Sequence, residues 1–521
     1  MQMTLCFLNG DVNGYRALFD ELGVFAKFSG LKPNISKTQA FWAGYNASEK
    51  QPICTDLPVK WASKLKVLGI VYANQDSETW LENFEEKFCK ARKIIKGWKN
   101  RFLSLTGKIV IIKTLLIPLF THIFTALPNP PGDCISKLKK EIFQFIWGGK
   151  TDKIKRNSLC RTIAAGGQGM VDLEVYISAL KVSWVKKEIM NSHDWCFLFN
   201  ETIAEDSCLW ERNSQSMRKS ASSIKNTFWK EVFIALANFD DCFFPDVEEI
   251  ASCGLWFSNC TRFKDSIINS WHRKGLRHIN DLLGGNGQLM TFEEIKETYQ
   301  IQGMHLDYCG LIRSLPTEWN RWPQKARING PIMHPNIRSI TRKRYGNKHI
   351  YNILLNGKHK DEGNSWESAW ELEFGEMEWS TWYNLSKRTT PAIAYQAIQY
   401  KIITRIISTN RRLYQMRLID SSECKRCNCR TETLMHKFWS CPVVKTFWEG
   451  VANCLRTTGI LTEPRGFTKI QVMFGVEYSS LMNHVLLIGK MMIAKNAFLS
   501  VDALMLRLLM DKHTEKEIAG N

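Results

Sequence analysis

Hydrophobic residues between positions 78 and 127 recur at alternating intervals of three and four, which is the spacing of one face of an α-helix. A break at Leu105-Thr106-Gly107 separates this stretch from a second apolar one, and a proline cluster at 127–132 follows. Consecutive prolines cannot continue the backbone hydrogen bonds of a helix, so the pattern predicts a helical hairpin that ends there. Its first buried stripe is predicted to be Leu81, Phe84, Phe88, Ala91, Ile95 and Trp98.

The first 75 residues show shorter patterns. Strand-like stretches occur at Met3 to Leu8, Gln39 to Gly44 and Leu65 to Tyr72, and helical spacing lies between the first two. These elements predict a small α+β unit with an incomplete sheet. An incomplete sheet leads us to expect a further N-terminal portion of this unit outside the 521 residues.

After the hairpin the pattern is mostly helical. A third helix is predicted over Cys134 to Trp147, and residues 191–345 carry mixed helical patterns without a catalytic signature. Thr390 as N-cap and Pro391 at the first helical position predict a helix that runs to about Ser408. The predicted fold class is therefore α+β and mostly helical. Its predicted divisions are a partial α+β unit at 1–75, a helical domain at 76–190, a helical connector at 191–345 and a C-terminal segment at 346–515.

The composition indicates a folded chain with a polyanionic partner. Hydrophobic residues make up 44% of the sequence and aromatic residues 12%, which is more than a disordered protein carries. The 70 Lys and Arg residues exceed the 51 Asp and Glu residues and give a formal charge of +19. This excess favours nucleic acid as the partner, although a basic surface without a ligand has the same composition.

The expected location is the cytoplasm or the nucleus. The first residues have neither a basic segment nor a long apolar stretch, so no secretory signal is predicted. The apolar run from Ile109 to Phe120 is interrupted by Lys113 and Pro118 and falls short of the roughly 20 residues that cross a bilayer. We therefore expect no membrane partner. In a reducing compartment, clustered cysteines bind metal more often than they form disulfides.

One face of the first hairpin helix is basic. Lys93, Lys96 and Lys99 follow one another at three-residue intervals, and Arg101 and Lys108 continue the series beyond that helix. Cationic side chains in such a series can contact successive phosphates of RNA or DNA. The alternative is a solvated lysine face on a packed hairpin.

The most specific chemical pattern is Cys424-x2-Cys427-x8-His436-x4-Cys441. Three thiolates and one imidazole in two closely spaced pairs suit a single tetrahedral Zn²⁺. Four protein ligands leave no open position for a reactive water, so the predicted zinc is structural. Cys429 competes with Cys427 as the second ligand. The alternative to a metal site is a set of unbound buried cysteines with a core histidine.

This zinc-knuckle module, at about residues 420–450, is also aromatic. Aromatic rings in such a module can stack on nucleic-acid bases or pack into its core. Packing is the expected role because a small module needs a core of its own. The residues concerned are Phe438, Trp439, Phe447 and Trp448.

Several motifs resemble the reverse transcriptases of non-LTR retrotransposons, the long interspersed elements, and follow one another in that family's order. The match to the palm motif is formed by Ser29, Gly30, Leu31, Asn34, Lys37 and Thr38. The match to the primer-grip strand is formed by Leu68, Gly69 and Ile70. The matches to the thumb are Trp98, Arg101, Leu103, Gly107, Lys108, Pro118 and residues 145–147. The match to the family's zinc-binding region runs from Glu432 to Trp448.

The resemblance implies roles for these residues and names for the divisions. Residues 1–75 are expected to be a partial palm, 76–190 a thumb-like domain, and the partners RNA and DNA. The resemblance places Leu68 and Gly69 in a primer grip. The residues expected near an incoming nucleotide are Gly30, Leu31, Asn34 and Lys37.

The family's paired catalytic aspartates are not matched. Met1 and Gln2 stand where the two aspartates would precede Met3. Two-metal phosphoryl transfer needs clustered carboxylates that hold two Mg²⁺ ions about 4 Å apart. Mg²⁺ is therefore expected only if an upstream palm is supplied, and no catalytic residue is assigned.

The expectation is a truncated reverse transcriptase-like protein that binds RNA and DNA through the basic thumb face and the zinc module, without polymerase activity of its own. One alternative is the C-terminal part of an active RNA-directed DNA polymerase that upstream sequence completes. The others are a zinc-stabilised protein-interaction module and an inert decayed copy. The sequence does not indicate an oligomeric state.

Overall fold

A computed structural model describes residues 12–42, 59–190, 214–243, 247–255, 265–315, 335–341, 347–359, 363–461 and 466–520. The strand predicted at Met3 to Leu8 lies outside these residues. Helices dominate the described part, and two small two-stranded sheets lie within its first 75 residues. The mostly helical α+β class is therefore confirmed.

The helices up to residue 242 are α1 (Val12–Ser29), α2 (Asp76–Lys99), α3 (Leu105–Ile111), α4 (Ile117–Ala126), α5 (Gly132–Trp147), α6 (Arg156–Cys160), α7 (Leu173–Met190), α8 (Ser214–Ser223) and α9 (Thr227–Cys242). The next helices are α10 (Asp265–Arg273), α11 (Phe292–Tyr299), α12 (His305–Ser314), α13 (Pro335–Thr341), α14 (Lys348–Lys358), α15 (Ser365–Phe374) and α16 (Trp379–Thr389). The last are α17 (Ile393–Ile403), α18 (Asn410–Gln415), α19 (Pro442–Thr457), α20 (Lys469–Phe474), α21 (Ser480–Ala494) and α22 (Val501–Gly520).

The two small sheets differ from the prediction in two respects. The strand predicted from Gln39 to Gly44 covers only Gln39–Ala40 of its described residues, and the strand predicted from Leu65 to Tyr72 is divided. Strand β1 (Gln39–Ala40) pairs in parallel with β2 (Lys60–Trp61), and β3 (Lys64–Val67) pairs antiparallel with β4 (Ile70–Ala73). The single strand predicted from Leu65 to Tyr72 is wrong, because the chain reverses at Leu68 and Gly69, whose φ angles are 48° and 84°. Two consecutive positive φ angles form the tight turn that suits a hairpin.

The predicted helical hairpin is present, with one change in its buried stripe. Helix α2 buries Trp80, Phe84, Ala91 and Ile95, whereas Leu81 is 55% exposed and was wrongly placed in the stripe. Trp80, which lies four residues before Phe84, occupies the interior position predicted for Leu81. The larger indole therefore anchors the N-terminal end of the hairpin.

A continuous helical stretch from Leu105 to Ala126 is long and apolar enough to cross a bilayer by length and composition alone. It consists of α3, one π-helical turn and α4, and its 22 residues contradict the expectation that this apolar run falls short of the length that crosses a bilayer. Pro118 is accommodated because it lies just after the π-helical turn at Ile112–Leu116, where the regular α-helical hydrogen-bond ladder is already interrupted. Ile112 and Phe120 of this stretch are fully buried in the protein core, and core helices pass the same test.

One hydrophobic core joins the hairpin to the C-terminal segment. It contains buried residues from Ile70 to Leu508, while a second, smaller core contains residues from Cys253 to Leu315. Helix α7 packs against α9 and α14, and the Tyr351 hydroxyl accepts a hydrogen bond from the Asp172 amide at 3.0 Å. The domain division predicted from the sequence stays a prediction, and the hairpin and the C-terminal segment share a packed interior.

The junction between these parts requires glycine at one position. A Cβ atom on Gly167 would lie 2.0 Å from the carbonyl oxygen of Arg161. The Asn364 side-chain amide donates to the Ala165 carbonyl at 3.1 Å, and Tyr400 donates to the Gly166 carbonyl at 3.4 Å. The glycines at positions 166, 167 and 169 therefore form a turn against which α16 and α17 pack.

The helix predicted to start at Thr390 starts later and ends earlier. Thr390 is extended, with φ −154°, and its hydroxyl accepts a hydrogen bond from the Ala392 amide at 3.2 Å. Ala392 is the N-cap, and α17 ends at Ile403 rather than about Ser408. The residue before a proline favours extended backbone, which keeps the Thr-Pro pair outside the helix.

Candidate metal centre

The first ligand pair lies in a tight turn. The Asn428 amide donates to the Cys424 carbonyl, and the Cys424 amide donates to the Cys429 carbonyl, both at 2.9 Å. Asn428 has a φ of 55°, a left-handed conformation that asparagine tolerates better than most residues. This turn directs the thiols of Cys424 and Cys427 to one point.

The second pair flanks a single helical turn. His436 begins a π-helical turn at His436–Ser440, and the Cys441 amide donates to the His436 carbonyl at 3.0 Å. Cys441 is the N-cap residue of α19, and Pro442 occupies the first position of that helix. Proline suits this position because its fixed φ matches the helix and its missing amide proton is not needed there.

The four side chains converge with the geometry of a tetrahedral zinc site. One ligand atom from each of Cys424, Cys427, His436 and Cys441 lies within 4.8 Å of all the others. The sulfurs of Cys424 and Cys441 are 4.0 Å apart, and the Cys427 sulfur is 3.3 Å from Nε2 of His436. A tetrahedral zinc requires about 3.8 Å between two sulfurs and about 3.6 Å between sulfur and nitrogen.

Burial separates the ligands from the competing cysteine. Cys424, Cys441 and His436 are 2%, 0% and 9% exposed, and Cys427 is partly buried. Cys429 is exposed and does not belong to the group of converging atoms. The geometry therefore selects Cys427 as the second ligand.

A buried ion pair lies next to the predicted zinc ligand His436. The Lys437 ammonium lies 3.4 Å from the Glu432 carboxylate, and both side chains are less than 10% exposed. Lys437 also donates to the Ser408 carbonyl at 3.1 Å, and the Asn410 amide donates to Glu432 at 3.1 Å. The pair thus joins the zinc module to the start of α18. Sequence reasoning missed it, although two opposite charges flanking His436 were a signal.

The aromatic residues of the module mostly pack. Phe438, Phe447 and Trp448 are buried, and the Trp448 indole donates to the Phe438 carbonyl at 2.9 Å. The Trp448 ring lies against α21, since a Cβ on Gly489 would be 2.4 Å from that ring. The three rings are therefore core residues in this structure, as expected.

The geometry suits a closed structural zinc site with three cysteine ligands and one histidine ligand, and a comparison with known families supports this assignment. A family model described as zinc-binding in reverse transcriptase matches residues 347–448. The matched range contains all four converging residues. The C-terminal region is therefore related to reverse transcriptases, and its cysteines and histidine fit structural zinc.

The residues predicted to lie near a nucleotide form one exposed loop after α1. Gly30 has a φ of 70°, and its amide donates to the Ala26 carbonyl, which ends the helix. The Lys37 amide donates to the Asn34 carbonyl at 3.0 Å, and the Leu31 side chain is 63% exposed. The loop therefore presents Lys37 to solvent.

The predicted primer-grip residues form the tip of the β3–β4 hairpin. Leu68 is 78% exposed, and its carbonyl lies 3.1 Å from Nε2 of His122 on α4. Behind the tip, the Asn83 side chain accepts a hydrogen bond from the Val71 amide at 2.9 Å and donates one to the Val71 carbonyl at 2.6 Å. The hairpin is therefore fixed to α2 while its tip projects.

The predicted nucleic-acid contacts divide into two groups. Lys93, Lys96 and Lys99 are exposed on α2, and the exposed Arg101 guanidinium lies 4.3 Å from the centre of the Trp98 ring. The Lys108 ammonium instead donates to the carbonyls of residues 145 and 146 at 3.0 and 2.9 Å. Burial lowers the pKa of Lys108. In this conformation Lys108 caps the end of α5.

Proposed function

We propose that this chain is a reverse transcriptase-related protein of the non-LTR type that binds RNA and DNA. The observation that carries the proposal is the Cys₃His cluster, which lies inside a region matched by a reverse-transcriptase zinc family. The zinc holds its module together and performs no chemistry, because its four ligands are protein side chains. We assign the protein to the cytoplasm or the nucleus, where such cysteines stay reduced.

The proposed contact surface is the α2 face, formed by Lys93, Lys96, Lys99 and Arg101. Its side chains are exposed, and no ion pair involving the three lysines occurs among the described residues. Phosphates can therefore approach their ammonium groups without displacing a protein partner. The loop at residues 30–37 and the hairpin tip at Leu68 are proposed to be the nucleotide-side and primer-side parts of a palm.

Salt dependence of binding tests the contact surface. Lys93→Gln, Lys96→Gln and Lys99→Gln together are expected to reduce the slope of log affinity against log salt by about one per lost phosphate contact. The matched control replaces Lys225, Lys274 and Lys296, which are exposed elsewhere, with glutamine. Equal slopes for the two triple variants would show that the α2 face is only solvated. Binding that ignores salt would favour a protein-interaction module.

Residues 1–521 alone are proposed not to extend a primer. In the described part of the chain, the zinc-type cluster is the only group of His, Cys, Asp and Glu side chains close enough to hold a metal. Polymerase chemistry would need carboxylates for two Mg²⁺ ions from outside these residues. Template-dependent synthesis by the purified 521-residue protein with Mg²⁺ or Mn²⁺ would overturn this part of the proposal.

A further inference from the structure

A basic recess lies where the loop after α5 meets the C-terminal segment. It has a volume of about 300 Å³, at the lower end of the range for small-ligand pockets. The loop contributes Lys153 and Lys155, and the C-terminal segment contributes Arg405 and Arg412. These four cations come from two parts of the chain that lie far apart in the sequence, so only the folded arrangement brings them together.

The two arginines are held in place by the protein. Arg405 donates through Nη1 to the Ala369 carbonyl at 2.9 Å, and its guanidinium lies 4.4 Å from the centre of the Trp370 ring. Arg412 donates through Nη1 to the Arg405 carbonyl at 2.6 Å. Each guanidinium has further N–H groups beyond the one used here. Fixed guanidinium groups lose little freedom when they bind a phosphate.

The positive charges of the recess are not neutralised by acidic side chains among the described residues that line it. Of the described residues that line it, none carries a carboxylate. The neighbouring Asp152 pairs with Arg156 at 2.7 Å, and Glu367 accepts hydrogen bonds from the Asn364 amide and the Tyr383 hydroxyl. Acidic side chains nearby are therefore engaged with other partners.

Two further features favour an anion here. Burial lowers the pKa of Lys153, and the positive charges of Lys401, Lys150 and Arg412 lower it further. Such repulsion is relieved when an anion enters the cluster. The first turn of α15 also lies in the lining, through Ser365 and Trp366, and the N-terminus of a helix carries a partial positive charge.

We propose that this recess binds the phosphate backbone of a nucleic-acid strand, as a second contact region besides the α2 face. The inference rests on the proposed function and adds a position to it. Arginine pairs bind phosphate oxygens through parallel hydrogen bonds, and the two lysines at the exposed side leave room for the strand to continue. The site joins the hairpin side of the core to the zinc-bearing segment through one ligand.

The test uses the full chain and two matched double variants. Lys153→Gln with Lys155→Gln removes two exposed charges from the recess. The control, Lys274→Gln with Lys296→Gln, removes two exposed charges from the protein surface around the smaller hydrophobic core. Binding of a labelled single-stranded RNA is followed by fluorescence anisotropy over a range of salt concentrations. The recess variant is expected to lose up to about 1.4 from the magnitude of the log–log slope, roughly 0.7 per phosphate contact. The control keeps the parent slope, and Lys153→Arg with Lys155→Arg restores it.

Each outcome decides between the proposals. If the parent binds RNA and the recess and control variants have the same slope and affinity, the recess inference is overturned while the proposed function stands. If the parent fails to bind RNA or DNA, the proposed function itself fails. Inorganic phosphate provides the second arm. If phosphate raises the melting temperature of the parent but not of the recess variant, and RNA binding is unaffected, the site takes a free anion and its assignment to nucleic acid is overturned.

Discussion

Replacement of Lys490 by methionine should change how the stability of the C-terminal segment depends on pH. Lys490 lies on α21 and is 1% exposed. Its ammonium donates to the Gln399 side chain at 2.6 Å and to the Met473 carbonyl at 3.3 Å. Burial lowers its pKa from 10.5 to about 7. The side chain is therefore about half protonated in the folded protein near pH 7 and largely neutral above about pH 8.

The sign and size of the effect follow from proton binding. Above pH 10.5 the amine is neutral in both the folded and the unfolded chain, so proton uptake costs no stability. As the pH falls from 10.5 toward 7, the unfolded chain binds a proton that the folded chain does not, and the free energy of unfolding declines. Between pH 9.5 and pH 7.5 this contribution is roughly 2 to 3 kcal/mol, from about 1.4 kcal/mol for each pH unit.

Pulse proteolysis in urea, read by mass spectrometry of peptides from residues 466–495, measures the stability of this segment at both pH values. The parent is expected to gain roughly 2 to 3 kcal/mol more than Lys490→Met between pH 7.5 and pH 9.5. Other titrating groups, including the zinc ligands, contribute equally to both proteins and cancel in the difference. The same pH dependence in parent and variant would refute the reasoning, because it would mean that the amine keeps an ordinary pKa.

The other predictions concern the zinc ligands and the glycine turn. Cys424→Ser should abolish stoichiometric zinc binding and expose residues 409–461 to protease. The matched control Cys429→Ser should leave zinc binding and protease resistance unchanged. Zinc analysis and limited proteolysis measure the two properties, and an equal loss in both variants would contradict the ligand choice. Gly167→Ala should destabilise the protein by about 1–3 kcal/mol or more, because the added Cβ meets the Arg161 carbonyl. Gly97→Ala in α2 is the control, because a Cβ there has no atom within 4 Å, and it should stabilise the protein by roughly 0.5–1 kcal/mol. Thermal melting compares the two, and a stable Gly167→Ala protein would show that the turn relaxes.

The sequence was sufficient where the decisive contacts are local. The hairpin helix α2, the end of α4 before the prolines and the spacing of Cys424, Cys427, His436 and Cys441 all depend on residues close together in the chain. Local spacing failed at the β3–β4 turn, where an apolar run conceals a reversal at Leu68-Gly69. Leucine seldom adopts a positive φ, so only the following glycine indicated a turn there.

The remaining features depend on residues far apart in the chain. In the sequence, Lys108 looks like one more cation of a basic series. In the structure, its ammonium donates hydrogen bonds to two carbonyls at the end of α5. The recess of Lys153, Lys155, Arg405 and Arg412 likewise exists only because the loop after α5 packs against the C-terminal segment. Helical periodicity identifies a buried face but not the face that covers it.

The central claim, a structural Cys₃His zinc centre in a reverse transcriptase-related segment, is tested most directly by zinc-edge X-ray absorption on protein purified under reducing conditions. The account predicts one zinc per chain, with three sulfurs at about 2.3 Å and one nitrogen at about 2.0 Å. Those ligands are the side chains of Cys424, Cys427, Cys441 and His436. A zinc content near zero, or a shell containing fewer than three sulfurs, would contradict it.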